Sequence, residues 1–238
     1  MRSNDERLLL GKSSKRLAQD HLERYRFACQ YVQNKRCLDI ACGTGYGAPL
    51  LVEAGAEYYV GVDIDEESVR HAEQRYSSKK ASFVVGSICD YKAEEYYDVI
   101  ICYETIEHVA RYQAALRNLF SLLRPGGLLL ISSPNRPITS PRALQINDKP
   151  SNRFHTQEFT PSELLHELFA VGFSASEKEI YGQRQRWLYR YARIQSIIRL
   201  IRCPDIFAFV SSAEAKTVKN NTPRYFIIKA EKRSEYAN

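Results

Sequence analysis

The fold of this chain is decided by residues 38–47, which read LDIACGTGYG. The apolar run from Cys37 to Ala41 is typical of a buried parallel strand. Three alternating glycines follow it, and a helix is predicted over residues 48–54 directly after them. Glycine has no Cβ and tolerates positive φ, so a ligand can lie directly against the backbone of such a turn. The stretch therefore predicts a strand, a ligand-binding turn and a helix in succession.

A carboxylate stands at the end of the next apolar segment, about twenty residues after the first glycine of the turn. Residues 58–62 are predicted to form a second strand, and Asp63 follows it directly. A carboxylate in this position can accept hydrogen bonds from both hydroxyls of a ribose. Asp39, inside the first strand, would repel the pyrophosphate of NAD or FAD, which disfavours a dehydrogenase. It suits S-adenosylmethionine (SAM), whose exposed ends are an ammonium and a sulfonium.

With these residues the chain resembles the class I SAM-dependent methyltransferases, whose first motif is similar to residues 38–47. The likeness extends over about residues 17–173 and includes the RPGG turn at residues 124–127. Residues 133–135 (SPN) and 152–159 (NRFHTQEF) are similar to those of bacterial cell-surface glycan and natural-product O-methyltransferases. The resemblance implies SAM as the cofactor. The predicted cofactor-binding residues are Asp39, Ala41, Gly43, Gly45, Asp63, Ile64, Ser87, Ile88 and Tyr103.

Apolar segments alternate with amphipathic ones, which predicts a doubly wound, Rossmann-like α/β fold built on a parallel sheet. We expect an antiparallel last strand, an N-terminal lid helix and a helical insert before that strand. Helices are predicted over residues 17–32, 48–54, 66–76, 112–123 and 161–171, and the later strands over 82–85, 98–103, 128–132, 174–180 and 224–229.

We expect the whole chain, residues 1–238, to form a single methyltransferase domain. Its predicted parts are a helical lid (1–35), a SAM-binding core (36–182), a basic helical insert (183–222) and the last strand with its tail (223–238).

Composition bounds the class of protein. The chain has 238 residues, 44% of them hydrophobic, and a formal net charge of +6. No apolar run approaches the roughly 20 residues that would span a bilayer, and the charged residues 1–7 lack the core of a signal peptide. The 6 cysteines show neither C-x-x-C nor zinc spacing, which is typical of a reducing compartment. We therefore expect a cytoplasmic location.

The candidate catalytic residues follow the strand predicted over residues 98–103. If this segment coils into a helical turn, Glu104, Glu107 and His108 share one face by their i, i+3, i+4 spacing. His108 is then predicted to be a general base held by Glu107. The alternative is that Glu107 and His108 only fix the loop through hydrogen bonds.

The same E-x-x-E-H arrangement resembles that of small-RNA 2′-O-methyltransferases and of ubiquinone-pathway O-methyltransferases. That resemblance implies a metal site, in which Glu104, Glu107, His108 and His155 hold Mg²⁺ or Mn²⁺ and assist alkoxide formation.

The leading functional hypothesis is an O-methyltransferase for a sugar hydroxyl, in the biosynthesis of a polysaccharide or of a glycosylated natural product. The alternatives are an O-methyltransferase for an aromatic or RNA hydroxyl, and a non-catalytic SAM-binding partner subunit. No RNA-binding module is recognisable, so a nucleic-acid partner is not expected. The intact Glu107–His108 pair argues against a non-catalytic subunit.

Residues 187–202 carry an apolar stripe flanked by arginines, with no acidic residue in between. Such a stripe usually packs on its own domain or on a sister subunit, which predicts a homodimer in the second case. The other interpretation is an interfacial helix that contacts anionic lipids at the inner membrane surface.

Overall fold

The computed structural model describes residues 15–185, 210–211 and 223–233. These ranges contain nine strands and six α-helices. The strands are β1 (Arg36–Ile40), β2 (Tyr58–Asp63), β3 (Ala81–Val85), β4 (Tyr97–Cys102), β5 (Leu123–Pro134), β6 (Phe173–Ser174), β7 (Ile180–Gln185), β8 (Val210–Ser211) and β9 (Pro223–Lys232). The helices are α1 (Lys15–Ala28), α2 (Ala48–Glu53), α3 (Glu66–Tyr76), α4 (Tyr112–Leu122), α5 (Arg136–Thr139) and α6 (Pro161–Val171).

All nine strands belong to one sheet, with the order β3-β2-β1-β4-β5-β9-β7-β8 and with β6 paired to β9. The first five strands run parallel, whereas β9 is antiparallel to both β5 and β7. The predicted doubly wound sheet with an antiparallel last strand is therefore confirmed. Because β1 has β2 on one side and β4 on the other, the chain reverses its winding at the end of β1. Ligands of such folds bind at this point.

Apolar side chains are buried on both faces of the sheet. In β4, Ile100 and Cys102 belong to one cluster and Val99 and Ile101 to the other, because successive side chains point to opposite faces. Helices α4 and α6 cover the first face, and α1, α2 and α3 cover the second. Each fully buried Leu or Ile side chain contributes about 1.5–3 kcal/mol to stability.

The predicted helix boundaries are confirmed where capping residues set them. Asp65 caps α3 by accepting a hydrogen bond from the backbone N–H of Ser68. Thr160 and Glu163 form a capping box at the start of α6, and Gly172, with φ of 111°, ends that helix. These contacts join residues three positions apart, so the sequence is sufficient to predict them.

The strand predicted over residues 174–180 is wrong. The segment contains the two-residue strand β6 and a 3₁₀ helix at Glu177–Glu179, and β7 begins only at Ile180. Two acidic residues and one lysine occupy the 3₁₀ helix, where Glu179 forms an ion pair with Lys229 at 2.9 Å. Three consecutive charged residues give no alternation of apolar and polar positions, so this segment lacks the pattern of a half-buried strand.

Most of the predicted insert lies outside the described residues, including the whole stripe over residues 187–202. The strand β7 continues to Gln185, three residues into the predicted insert. Among the helices that the structure describes, none combines the length and the apolar character needed to cross a membrane.

Candidate active site

A cavity of about 750 Å³ lies at the carboxyl ends of the parallel strands. Residues that follow β1, β2, β3 and β4 form its floor, and α1 contributes His21, Arg24 and Tyr25 to its wall. Cavities of this size hold small-molecule ligands. The sheet topology thus brings the glycine turn and the predicted catalytic residues to one place.

Gly43 is the glycine of the turn that faces the cavity. Its φ is 57°, and a Cβ added to it would meet nothing within 4 Å. Its N–H donates to Asp63 Oδ2 at 2.8 Å, while Asp63 Oδ1 accepts from the N–H of Asp65 at 2.9 Å. These two bonds orient the carboxylate, which keeps further acceptor positions for ligand hydroxyls. The turn therefore offers a bare backbone beside an oriented carboxylate.

The other two glycines of the turn serve packing. A Cβ on Gly45 would lie 2.6 Å from that of Ala72 in α3, and one on Gly47 would lie 2.1 Å from Tyr25 Cε1 in α1. Gly45 does not line the cavity, which corrects its prediction as a cofactor contact. Gly43 thus leaves room for a ligand, Gly45 allows close packing of α3, and Gly47 allows close packing of α1.

Asp39 also differs from its prediction as a cofactor contact. It is fully buried behind the cavity wall, where its Oδ2 accepts hydrogen bonds from Tyr25 at 2.8 Å and Tyr59 at 2.7 Å. Its Oδ1 has no hydrogen-bond partner among the described residues. Burial raises the pKa of Asp39 to about 7. The carboxyl group therefore anchors the lid helix α1 to the sheet and does not touch the cavity.

The other predicted cofactor residues do line the cavity, although their contact with SAM remains a prediction. Ile64 is 72% exposed although apolar, which suits the face of an adenine ring. In addition to Gly43 and Asp63, the predicted residues in the wall are Ala41, Ile64, Ser87, Ile88 and Tyr103.

The predicted helical face with Glu104, Glu107 and His108 is wrong in one respect. Only Ile106–His108 coil into a 3₁₀ helix, and Glu104 lies before it with a left-handed φ of 49°. The Glu104 carboxylate accepts from the Ser132 hydroxyl at 2.8 Å and pairs with Arg24 Nη2 at 3.1 Å. Among the described residues, Glu104 does not belong to the cluster of potential metal ligands that the other three predicted residues form.

Three of the four predicted metal ligands do come together. Atoms of Glu107, His108 and His155 able to bind a metal lie within 4.8 Å of one another. Glu107 is buried, and its Oε2 has no hydrogen-bond partner in the part of the chain that is described. Burial, reinforced by the charge of Glu104, raises the pKa of Glu107 well above its ordinary value.

Hydrogen bonds define the proton positions on the two imidazoles. His108 Nδ1 lies 3.0 Å from the carbonyl oxygen of Phe154. His155 Nδ1 lies 2.6 Å from Glu158 Oε1, and its Nε2 meets the Asn152 amide nitrogen at 2.9 Å. Since carbonyls and carboxylates only accept, both Nδ1 atoms carry the proton and each Nε2 is the basic nitrogen.

Buried polar residues that the sequence did not single out hold this region in shape. The Gln157 amide donates to the carbonyl oxygens of Ile106 at 2.7 Å and Val109 at 3.1 Å, and so fixes the 3₁₀ helix. Arg136 donates to the carbonyl oxygen of Glu158 at 2.8 Å, which fixes the loop that carries His155. No local motif marks such contacts, because their partners lie 22 to 51 residues away.

A family profile described as a methyltransferase domain matches residues 11–178 of this chain. The match covers α1, the glycine turn and all three histidines that line the cavity, His21, His108 and His155.

Several curated proteins are similar in sequence. A probable SAM-dependent methyltransferase of Mycolicibacterium smegmatis is 34% identical over 141 residues, which are 59% of this chain and 52% of that protein. A ubiquinone biosynthesis O-methyltransferase of Vibrio vulnificus is 33% identical over 110 residues, which are 44% of this chain and 46% of that protein. The chain thus spans about half the length of the curated relatives it matches.

Solved structures show the same fold at low sequence identity. A SAM-dependent methyltransferase from Mesorhizobium loti superposes with a TM-score of 0.63 at 16% identity, over 89% of this chain and 97% of that one. The [4+2]-cyclase SpnF superposes with a TM-score of 0.61 at 19% identity, over 94% of this chain and 85% of that one. Because proteins named for different reactions share the architecture, the acceptor has to be inferred from the cavity wall.

Proposed function

The chain belongs to the class I SAM-dependent methyltransferases, and we propose on that basis that it methylates a hydroxyl group of a sugar or glycosylated acceptor. The observation that carries this proposal is the pair of imidazoles, His108 and His155, in the wall of the cavity that contains the glycine turn. A hydroxyl acceptor must lose its proton during transfer, and a neutral imidazole is the side chain suited to take it near pH 7.

The residues around the histidines favour a sugar as the acceptor. Phe154 is 39% exposed and offers an apolar face, while Thr139, Asn152 and Arg224 contribute polar groups to the same cavity. A sugar ring presents both an apolar face and a set of hydroxyls, so this mixture is complementary to it. An aromatic hydroxyl is the alternative, since one group of relatives is named for ubiquinone biosynthesis.

In the proposed reaction the acceptor oxygen attacks the methyl carbon of SAM, and the bond between that carbon and the sulfonium breaks. The electron pair stays on sulfur, which leaves as a thioether and needs no proton. The acceptor proton passes to Nε2 of His108, whose Nδ1–H is held by the Phe154 carbonyl. His108 therefore acts as the base, and the Phe154 carbonyl, rather than Glu107 as predicted, holds its Nδ1–H.

A metal-assisted version has an observation in its favour. Glu107 Oε2 is a buried oxygen without a hydrogen-bond partner among the described residues, and it lies beside two imidazoles. Glu107, His108 and His155 would hold the ion, which would lower the pKa of the acceptor hydroxyl. The cation would have to displace the Asn152 amide from His155 Nε2. One carboxylate with two imidazoles suits Mn²⁺ better than Mg²⁺.

The test is transfer of radiolabelled methyl groups from SAM to a panel of sugar nucleotides, glycolipids, catechols and RNA, with and without EDTA. We expect label on a sugar hydroxyl. Label found only on catechols or RNA would show that the acceptor is not a sugar. Label on a nitrogen atom of the acceptor would contradict the proposal that His108 deprotonates a hydroxyl group. Loss of activity in EDTA, restored by Mn²⁺, would support the ion; full activity in EDTA would leave His108 alone as the base.

Cytoplasmic location, a homodimer and membrane contact through residues 187–202 remain proposals of the same kind. A lipid-linked sugar as the acceptor would agree with the proposed membrane contact. Glycolipids in the panel address it directly, because they would be preferred over sugar nucleotides.

A further inference from the structure

Arg224 brings a positive charge to the acceptor side of the cavity, the side that holds His108 and His155. It is the second residue of β9, which runs antiparallel to β5, so the start of β9 lies at the edge of the sheet where the parallel strands end. The order β2-β1-β4-β5-β9 places Asp63, at the end of β2, and Arg224 on opposite sides of β1 and β4. A ligand group that meets Arg224 is therefore far from the proposed ribose position.

The SPN motif at residues 133–135 fixes the backbone of Arg224. The buried Asn135 donates its N–H to the carbonyl oxygen of Arg224 at 2.9 Å, and its side-chain amide to the preceding carbonyl oxygen at 2.8 Å. The next residue, Arg136, donates its N–H to the carbonyl oxygen of Phe159 at 3.0 Å, at the end of the histidine-bearing loop. The motif thus holds Arg224 and that loop through two adjacent residues.

The neighbouring carboxylates of the cavity wall have partners of their own. Glu104 forms an ion pair with Arg24 at 3.1 Å, and Glu158 Oε1 lies 2.6 Å from His155 Nδ1. Since these two carboxylates are engaged by other residues, the charge of Arg224 makes the acceptor side of the cavity more attractive to an anion.

The guanidinium of Arg224 is held by the residue that follows it. Its central carbon lies 5.5 Å from the centre of the Tyr225 ring, and its Nε donates to the Tyr225 hydroxyl at 3.4 Å. A guanidinium carries five N–H donors in a planar fork, which matches the oxygens of a phosphate. A sugar most often bears a fixed negative charge as a phosphate ester. Phosphate is therefore the anion that we expect at this position.

We propose that Arg224 binds the diphosphate group of a nucleotide-linked or lipid-linked sugar, so that the acceptor is a charged sugar and not a neutral glycan. This inference rests on the proposed function, because it assumes a sugar in the acceptor half of the cavity. Arg224 would hold the acceptor by its diphosphate while a ring hydroxyl meets Nε2 of His108.

Isothermal titration calorimetry with inorganic pyrophosphate tests the anion site without knowledge of the sugar. The protein is first saturated with S-adenosylhomocysteine, so that the cofactor half is occupied. We expect Arg224→Met to lower affinity for pyrophosphate about 10- to 100-fold, as for loss of a paired charge-assisted contact. Arg224→Lys, which keeps the charge and loses the fork, should lower it by a smaller factor. Arg233→Met, an exposed arginine at the other end of β9, is the matched control.

Steady-state kinetics on a sugar that the enzyme methylates tests the role in the reaction. Each sugar is offered as its nucleotide diphosphate, as its lipid diphosphate and as its neutral methyl glycoside. We expect Arg224→Met to raise KM for the preferred diphosphate form about 10- to 100-fold while kcat stays within about threefold. KM for the methyl glycoside should stay within about twofold. The preferred form in the wild type identifies the carrier, nucleotide or lipid.

Unchanged affinity for pyrophosphate in Arg224→Met, or none in the wild type, would overturn the proposal. Weaker binding of S-adenosylhomocysteine to Arg224→Met would also overturn it, because Arg224 would then belong to the cofactor site. Should Arg224→Met fail to fold, Arg224→Lys gives the same contrasts. Equal KM values for charged and neutral sugars would refute this inference and leave the proposed function standing. Arg224-dependent binding of pyrophosphate without methylation of any sugar would count against the proposed function and leave the anion site intact.

Discussion

The two halves of the cavity wall are built in different ways. The cofactor half, residues 41–44 and Tyr46 with Asp63 and Ile64, consists mainly of backbone and one oriented carboxylate at adjacent strand ends. The acceptor half, residues 104–109 and 152–158, consists of side chains on two loops joined by long-range contacts such as His108 with Phe154, 46 residues apart. A site made of backbone is fixed by the fold, whereas a site made of loop side chains can change while the fold stays. The first half therefore identifies the family, and the second half determines the acceptor.

The largest effect is expected in the acceptor half, from His108→Ala. Removal of a general base lowers turnover by roughly 100-fold or more. Affinity for S-adenosylhomocysteine should stay within about twofold, because the cofactor half is untouched. Steady-state kinetics and calorimetry measure the two quantities, and His166→Ala, an exposed histidine of α6, is the control. If His108→Ala lost cofactor affinity and turnover in proportion, the two halves would not be independent.

The next effect is expected in the cofactor half, from Asp63→Ala. This change removes the acceptor for the Gly43 N–H and the proposed ribose hydroxyls. A charged hydrogen bond contributes on the order of 1.5–3 kcal/mol, so calorimetry should show affinity for S-adenosylhomocysteine lowered by one to two orders of magnitude. Asp90→Ala, at an exposed position, controls for loss of charge. Unchanged affinity in a folded Asp63→Ala variant would refute the ribose assignment.

The smallest effect is expected from Asp39→Asn, which changes a buried residue outside the cavity lining and should affect stability alone. The pKa of Asp39 is about 7 in the folded protein, whereas its ordinary value, which applies to the unfolded chain, is 3.8. Between pH 3.8 and pH 7 the folded state therefore holds a proton that the unfolded state has lost. Stability of the wild type should therefore fall as pH rises from about 4 to about 7 and level off above. Asparagine resembles the protonated form and does not titrate.

Thermal unfolding at pH 5 and pH 8 measures this difference. We expect the unfolding temperature of Asp39→Asn, relative to the wild type, to be higher at pH 8 than at pH 5 by several degrees, at roughly 2–4 °C per kcal/mol. All other titrating groups are common to both proteins and cancel in the comparison. A difference that does not depend on pH would mean that Asp39 is ionised in the folded protein throughout.

The sequence was sufficient for those features that depend on neighbouring residues. The cap of Asp65 on Ser68 and the capping box of Thr160 with Glu163 join positions three apart, and both were predicted. The glycine turn likewise follows from ten consecutive residues.

Features that depend on distant residues were not predictable in the same way. The contacts that enclose Asp39 come from Tyr25 and Tyr59, 14 and 20 residues away, and no pattern within β1 announces them. The left-handed backbone of Glu104 goes against the local preference of a glutamate, so a helical face was predicted there. Arg24 and Glu104 are 80 residues apart in the sequence, so only the fold brings them together as an ion pair.

The place of β9 in the sheet has a consequence for the growing chain on the ribosome. This strand comes after every other described element, yet it lies between β5 and β7, and residues 225–231 pair with residues 128–134. Until β9 has emerged, β5 exposes an unpaired edge rich in leucine and isoleucine, and such edges invite pairing with other chains. A chain that stalls before residue 223 would therefore be prone to aggregate, although its glycine turn and both histidines had already been made.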